Sequence, residues 1–199
     1  MRLAVAMLIL SPSPPLLFMG EERGARTPFL YFADWQGELR DAVVAGRRRE
    51  FAHFSAFRDE AARAGIPDPC DEATWRRCQL DWSEADSEPA RRWRAWYRAL
   101  LTVRHDALHP ALHRLARAGH SGDVIDGRAL DIRWRFESAF GIPAGWLQMQ
   151  VNLSAQALAL DLEESTSDIA RVTPLFDVGD VSPAQLGPWS GRWRWLPVD

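Results

Sequence analysis

Two adjacent carboxylates, Glu21 and Glu22, are the first residues of this chain whose type suggests chemistry. They follow the apolar run Leu16–Met19, which is typical of a strand buried on both faces. Paired carboxyl groups can hydrolyse a glycosidic bond when they face each other across it, about 5–5.5 Å apart in retaining enzymes. Adjacent residues usually point in different directions, so this pair is poorly suited to that task. We expect these glutamates either to fix the loop, through hydrogen bonds or an ion pair with Arg23 or Arg26, or to contact a substrate.

A third carboxylate, Asp34, lies beside Trp35 and follows the aromatic residues Phe29, Tyr31 and Phe32. A carboxylate next to flat aromatic side chains can hold a sugar, because it accepts hydrogen bonds from hydroxyl groups while the aromatic face covers the ring. Packing of the loop over neighbouring elements explains the same pattern equally well. The candidate substrate-binding residues are therefore Glu21, Glu22, Asp34 and Trp35.

Histidines and cysteines do not predict a metal site. His105, His109 and His113 are spaced by four residues, which would place them on one face of a continuous helix, but Pro110 interrupts it. Two cysteines, at positions 70 and 78, have no partners at metal-ligand spacing, and we expect both to be reduced. The chain also has no Gly-rich phosphate loop. We expect no metal and no cofactor.

Composition and charge indicate a soluble globular protein. The 199 residues are 47% hydrophobic and 26% charged, with a net charge of −3. Arginine clusters such as Arg47–Arg49 are offset by acids, so we expect no nucleic-acid partner. The apolar stretch Leu3–Leu10 is too short to span a bilayer and is not followed by a signal-peptide cleavage site. We expect a buried helix there, no membrane association and a cytoplasmic protein.

Hydrophobic periodicity predicts two regions of different structure. Helices are predicted at 1–10, 38–51, 72–78 and 89–105, and the last has an apolar face at helical spacing. One buried strand is predicted at 15–20. Alternating segments follow at 130–136, 146–153, 157–162, 174–178 and 192–196, and such short strands separated by Gly and Pro predict an antiparallel β domain. We place one domain at 1–110 and the β domain at 120–199, with the boundary between 108 and 125.

Several segments of the chain, in this order, resemble one group of carbohydrate-active enzymes. Pro15–Glu22, which reads PLLFMGEE, is similar to the final barrel strand and following loop of the α-amylase superfamily. The segments at 27–34, 46–51, 66–69 and 80–82 are similar to the C-terminal part of the malto-oligosyltrehalose trehalohydrolase family. Two positions depart from that family: Arg23 stands where an aromatic residue follows the glutamate pair, and Trp35 stands where a histidine is common.

This resemblance implies an α+β fold, in which a terminal αβ step and the last helix of a (β/α)8 barrel precede an antiparallel β-sandwich domain. It implies cleavage of the α-1,4-glucosidic bond next to the trehalose end of maltooligosyltrehalose, and hence a role in trehalose biosynthesis. The family's catalytic carboxylates lie on earlier barrel strands, so no catalytic residue is expected in this chain. We expect it to be inactive alone and to contact a maltooligosaccharide-type substrate if the barrel is completed.

A second hypothesis comes from a different functional class. A non-catalytic carbohydrate-binding or interaction module derived from such an enzyme would carry the same motifs. The two hypotheses differ in whether the remaining barrel strands and their carboxylates act together with this chain.

Overall fold

A computed structural model of the chain describes residues 1–139, 142–160 and 172–198. Within these residues the α-helices are α1 (Arg2–Ile9), α2 (Gly37–Phe51), α3 (Glu60–Ala64), α4 (Glu72–Arg77) and α5 (Glu88–Val103). The strands are β1 (Leu115–Ile125), β2 (Ala129–Phe136), β3 (Gly145–Asn152), β4 (Leu158–Ala159), β5 (Thr173–Val178), β6 (Val181–Ser182), β7 (Gln185–Leu186) and β8 (Gly191–Pro197). Short 3₁₀ and π turns connect several of them.

The chain divides into two compact units. We call Phe18–Arg94 the helical unit, and Met1–Leu17 together with Ala95–Asp199 the sheet unit, because every described strand lies in the latter. The sheet unit thus includes residues 1–17 and 95–110, which the sequence assigns to the first domain. The domain boundaries at 1–110 and 120–199 stay a prediction.

Two short helices of the helical unit, α3 and α4, have first turns that are capped by aspartates. Asp59 accepts a hydrogen bond from the Ala62 amide at the start of α3. Asp71 accepts one from the Ala73 amide at the start of α4. Each bond satisfies one of the amide groups that a helix leaves unpaired at its N-terminus. Such caps stabilise helices that are too short to be stable on propensity alone.

Within the described residues, the sheet unit contains two antiparallel sheets. The larger has the strand order β1-β2-β3-β8-β5, and the smaller has the order β4-β7-β6. Side chains alternate between the two faces of each strand. Leu147, Met149 and Val151 of β3 are buried on one face, beside Trp193 of β8. This apolar face packs against a core cluster that includes Leu108.

The opposite face of the larger sheet carries a buried polar network. Asp131 of β2 accepts hydrogen bonds from the amide groups of Gln148 and Gln150 on β3, the shortest at 2.7 Å. Gln150 Oε1 in turn accepts a bond from Arg192 Nε over 2.7 Å. Gln148 Oε1 accepts one from Arg194 over 2.6 Å. The network therefore satisfies polar groups across three adjacent strands, β2, β3 and β8, which would be costly to bury unpaired.

Helix α1 belongs to the core of the sheet unit. Leu3, Ile9 and Leu10 are buried, and a Cβ placed on Gly191 of β8 would lie 3.0 Å from Leu3 Cδ1. Glycine at this position therefore lets the helix approach the strand closely. Arg104 donates hydrogen bonds to the backbone carbonyls of Ile9, Ser11 and Ser13, with distances of 2.6 to 3.0 Å. These bonds fix the chain where it leaves the helix.

Most predicted elements are present, with small changes in their bounds. The four predicted helices correspond to α1, α2, α4 and α5, and the antiparallel β domain is confirmed. The predicted strand at 174–178 is β5, and the predicted strand at 192–196 is β8. The prediction at 157–162 corresponds to β4, although positions 161 and 162 lie outside the described residues.

One prediction about strands is wrong for this chain. Residues 15–20 form no strand, and an apolar run of this kind needs neighbouring strands to pair with its backbone groups. One strand was not predicted: β1 has eleven residues and pairs with β2. Its sequence, LARAGHSGDVI, includes two glycines and two alanines, so the alternation that predicts a strand is weak there.

Candidate functional site

The glutamate pair lies in a 3₁₀ turn, Glu21–Arg23, between two glycines with left-handed backbone angles. Gly20 has a φ of 90° and Gly24 a φ of 64°. A Cβ on Gly24 would lie 2.5 Å from Cδ1 of Trp93, so the space as well as the conformation requires glycine. Glu22 Oε2 accepts a hydrogen bond from the Gly20 amide over 2.9 Å. Glu22 thus fixes its own loop.

The same turn encloses polar atoms that have no hydrogen-bond partner among the described residues. These atoms are Oε1 of Glu21 and all three guanidinium nitrogens of Arg23. Arg23 is only 4% exposed, and its guanidinium lies over the Trp82 ring. Within the described part of the chain, no ion pair joins either glutamate to Arg23 or Arg26. The expected ion pair is therefore not formed.

Asp81 caps the turn that carries Trp82. Its Oδ1 accepts hydrogen bonds from the amide and the hydroxyl of Ser83, over 2.8 and 2.7 Å. These bonds hold the pKa of Asp81 below its ordinary value, and the charge of Arg23 acts in the same direction. The role of the Leu80–Trp82 segment within this chain is therefore to position an aromatic ring.

Hydrogen bonds tie the aromatic segment that contains Asp34 to the loop before α4 and to the end of that helix. The Ala33 amide donates to the carbonyl of Pro69 over 2.9 Å. The Leu30 amide donates to the sulfur of Cys78 over 3.2 Å. Phe29 and Phe32 meet edge to face, with ring centroids 5.6 Å apart. The segment from 29 to 34 is thus held in place by backbone bonds and ring packing.

Phe32 and Trp75 line two adjoining cavities, which together we call the aromatic cleft. The larger cavity, of about 670 Å³, is also lined by Asp34, Asp71 and Glu72. The smaller cavity, of about 420 Å³, is lined in addition by Met19, Gln79, Leu80 and Trp82. All these residues belong to the helical unit. Both volumes lie in the range of about 300–1,000 Å³ that is usual for small-molecule sites.

The structure separates the four predicted site residues. Asp34 lines the aromatic cleft, and its carboxylate has no hydrogen bond or ion pair with any described residue. Trp35 is 48% exposed but is not among the residues that line the cleft. Glu21 and Glu22 do not line it either. Of the four predicted site residues, Asp34 is therefore the one that lines the aromatic cleft, and its carboxylate is unpaired among the described residues.

Trp75 is the residue of this site that the sequence analysis does not identify. It is 41% exposed and lies on α4, whose six residues are otherwise small or charged. A single large aromatic residue in a helix whose other residues are small or charged is a signal for an exposed role. Its spacing from Asp34 along the sequence gives no hint that the two share a cavity.

The cysteines, the histidines and the helices are the features relevant to a metal site or a membrane span. Cys70 and Cys78 are free thiols, and the rings of His105 and His109 stack with centroids 6.3 Å apart. Among the residues that the structure describes, no three His, Cys, Asp or Glu side chains are placed to hold a metal ion. No helix in the described part of the chain is both long and apolar enough to cross a bilayer.

Solved structures define the class of protein that this fold resembles. A candidate α-amylase from Salmonella typhimurium superposes with a TM-score of 0.78 and 32% identity, over 98% of this chain and 30% of that one. The isomaltulose synthase PalI from Klebsiella sp. LX3 has a TM-score of 0.55 at 12% identity, which shows similarity of fold alone. The chain thus has the architecture of part of an α-amylase-type enzyme.

Curated relatives narrow this class to one family. A malto-oligosyltrehalose trehalohydrolase of Brevibacterium helvolum is 32% identical over 198 residues, which is 96% of this chain and 29% of the relative. The trehalohydrolase of Deinococcus radiodurans is 41% identical over 124 residues, 60% of this chain and 20% of the relative. The resemblance to malto-oligosyltrehalose trehalohydrolases is therefore confirmed. The chain spans between about a fifth and three tenths of the length of these relatives. No protein-family model matches it.

Proposed function

We propose that this chain acts as the C-terminal part of a glycoside hydrolase that cleaves the α-1,4-glucosidic bond next to the trehalose end of maltooligosyltrehalose. The observation that carries the proposal is the match to a trehalohydrolase along 96% of the chain. The trehalose so released would place the protein in trehalose biosynthesis. Leu3, Val5, Ala6 and Ile9 of α1 are buried within the fold, which supports a structural role for this helix, and the proposed location is the cytoplasm.

The proposed role of the N-terminal region is to form part of a (β/α)8 barrel. Helix α1 is followed by the run 15–20, which we propose to be the last barrel strand, and α5 would be the last barrel helix. Leu16 is 89% exposed and Met19 is 58% exposed, which is unusual for consecutive large apolar residues. An apolar segment of this kind is stable when strands and helices cover both faces, as in a parallel barrel. The missing strands would also supply the nucleophile and the acid/base.

In the completed enzyme, we assign Asp34 and Trp35 to contact with the sugar substrate. The carboxylate of Asp34 is uncommitted within the described residues, and Trp35 presents about half of its surface to solvent. Loops that follow barrel strands form the active-site end of this fold, which suits a segment that follows the proposed last strand. Glu22 would keep the turn in shape through its bond to the Gly20 amide, and Glu21 would lie beside it.

The test is to supply the rest of the enzyme. The residues that precede the matched segment in the Brevibacterium helvolum relative are fused to this chain, and trehalose release from maltooligosyltrehalose is measured. We expect the chimera to release trehalose and the isolated chain to release none, because a retaining mechanism needs two carboxyl groups that this chain does not supply. Turnover by the isolated chain that is abolished in Glu21→Ala, Glu22→Ala or Asp34→Ala would contradict the proposal.

A variant of the chimera tests the assigned contact. Trp35→Ala should raise KM for maltooligosyltrehalose and leave Tm nearly unchanged, because an exposed ring contributes little to the core. An equal loss of binding and stability would show that Trp35 is a packing residue in the complete enzyme.

The alternative function is a non-catalytic carbohydrate-binding or interaction module derived from such an enzyme. The observation that favours it is the aromatic cleft, because this concave surface is formed by residues of this chain alone. Saccharide binding by the isolated chain, together with a chimera that remains inactive although folded, would support the module over the enzyme.

A further inference from the structure

We infer that the aromatic cleft of the helical unit is a binding site for α-1,4-linked glucan, with Trp75 and Phe32 as stacking surfaces and Asp34 as a hydroxyl acceptor. The inference rests on the proposed function for the identity of the sugar, and it adds Trp75 and Phe32 to the residues that recognise it. Three observations carry it: the placement of the aromatic rings, the free carboxylate and the division of the cleft into two cavities.

The aromatic rings provide apolar surface at the cavity walls. Trp75 is 41% exposed and Phe32 is 36% exposed. Each of these residues lines the larger cavity and the smaller one. Trp82 lines the smaller cavity and is 73% exposed. The guanidinium carbon of Arg23 lies 4.2 Å from the centroid of the Trp82 ring. A pyranose ring has an apolar face of C–H groups and an edge of hydroxyl groups. Exposed aromatic side chains in a concave surface can stack against this face of the sugar. They gain contact area and lose little conformational entropy when they do so.

Polar groups beside these rings match the hydroxyl edge of a sugar. The carboxylate of Asp34 is unpaired among the described residues, and a carboxylate can accept two or more hydrogen bonds. Gln79 adds an amide, which both donates and accepts, at the smaller cavity. Glu72, by contrast, is engaged by Arg76 over 2.6 Å, so it is less available. The carboxylates also make the cleft unsuitable for a phosphorylated or acidic ligand, because like charges repel.

The division into two cavities favours a chain of sugars over a single one. Cavities of about 670 and 420 Å³ meet at Phe32 and Trp75, so a ligand that crosses these two rings occupies both. A linear oligosaccharide has this form, with one unit on each side of the shared wall. Hydrogen bonds from Ala33 to Pro69 and from Leu30 to Cys78 hold the two sides together, so the cleft is formed before the ligand binds.

The experiment measures binding of maltoheptaose to the purified 199-residue chain by calorimetry, with cellohexaose as the β-linked comparison. We expect maltoheptaose to bind with a Kd of about 0.1–1 mM. Trp75→Ala should weaken binding about tenfold or more, because it removes the shared wall of the cleft. Trp75→Phe keeps an aromatic face and should bind within about threefold of the wild type. Asp34→Asn should weaken binding to an intermediate extent.

Phe54→Ala is the matched control. Phe54 is 58% exposed in the same unit and lines neither cavity, so its loss should leave Kd unchanged. Thermal unfolding of each variant identifies any that fail to fold, and the comparison of Trp75→Phe with wild type then decides the question. A Trp75→Ala variant that is folded and binds like wild type overturns the inference.

Two further outcomes would also overturn it. One is equal binding of cellohexaose. The other is a wild-type chain that binds no maltoheptaose but forms a dimer that Trp75→Ala disrupts, because the rings would then be an interface between copies. Neither outcome bears on the proposed function, which stands or falls with trehalose release by the chimera.

Discussion

The guanidinium carbon of Arg23 lies 4.2 Å from the centroid of the Trp82 ring. Arg23 stands where the resembled family has an aromatic residue, and in this chain it makes a cation–π contact with Trp82. The arginine is almost fully buried, and its nitrogens have no hydrogen-bond partner among the described residues. Its methylene groups and its flat end therefore contribute packing, while its charge is costly to bury.

This arrangement predicts that an apolar side chain of similar length is tolerated at position 23. Arg23→Met should change the free energy of unfolding by less than about 1 kcal/mol, because it removes a desolvated charge and keeps most of the volume. Arg23→Ala should cost about 2–3 kcal/mol, because it leaves a cavity under Trp82. Urea unfolding followed by tryptophan fluorescence measures both. Equal losses would mean that the charge itself, through Trp82 and Asp81, stabilises the turn.

A second prediction concerns Asp131 in the polar network of the larger sheet. Asp131→Ala should lower the free energy of unfolding by about 2–4 kcal/mol, because it leaves the side-chain amides of Gln148 and Gln150 without their acceptor. Asp131→Asn keeps one acceptor oxygen and should cost less. Asp123 lies opposite Asp131 on β1 and is exposed. Asp123→Ala is therefore the control, with an expected change below about 0.5 kcal/mol. Similar losses in Asp123→Ala and Asp131→Ala would show that the network adds nothing.

The third prediction is a dependence of stability on pH that comes from Asp177. Partial removal from water raises the pKa of Asp177 above its ordinary 3.8, against the opposing charges of Arg192 and Arg194. The folded protein thus holds this proton more tightly than the unfolded chain does. Its contribution to stability is present at low pH and is lost as pH rises through the folded pKa.

Asp177→Asn tests this sign. The variant should have a higher Tm than wild type at neutral pH, and the difference should shrink as the pH is lowered towards 3.8. The effect should be small, because the residue remains exposed. Thermal unfolding across this pH range measures it, and a difference that does not vary with pH would contradict the assignment to ionisation.

A fourth prediction concerns local stability along the chain. Slow amide hydrogen exchange is expected in β2 and β3, because each is paired on both sides within the five-stranded sheet. Leu16–Met19 should exchange fast, because these residues belong to no strand. Exchange followed by mass spectrometry on the monomeric chain measures both. Strong protection at Leu16–Met19 would mean that the isolated chain buries this segment in another way.

Regular hydrophobic periodicity in the sequence predicted helices and strands, whereas weak alternation and an isolated apolar run did not. Helix α5 was predictable because its apolar residues repeat at helical spacing, and β2 and β3 because theirs alternate. Strand β1 was not, because pairing with β2 stabilises a sequence of weak alternation. Residues 15–20 show the opposite case, since an apolar run has the composition of a strand but forms one only beside other strands.

A site residue could be predicted only where its neighbours in the sequence indicate its function. Asp34 was identified from its aromatic neighbours in the sequence, and it lines the cleft. Trp75 lies 41 positions further along and reaches the same cavity through the fold, which no spacing rule describes. The sequence offered loop fixing by a hydrogen bond as one of two roles for Glu22, and the structure contains such a bond. The burial of Arg23 could not be predicted, because burial of an arginine depends on tertiary packing.

The sheet unit is assembled from two stretches of chain, Met1–Leu17 and Ala95–Asp199. A single backbone nick within residues 18–94 would therefore turn one covalent chain into two fragments held by non-covalent contacts alone. The short fragment would be retained by the buried residues of α1 and by the bonds from Arg104 to Ile9, Ser11 and Ser13. Nicked protein would migrate as one particle under native conditions and as two peptides in denaturant, and removal of α1 would uncover Gly191 on β8.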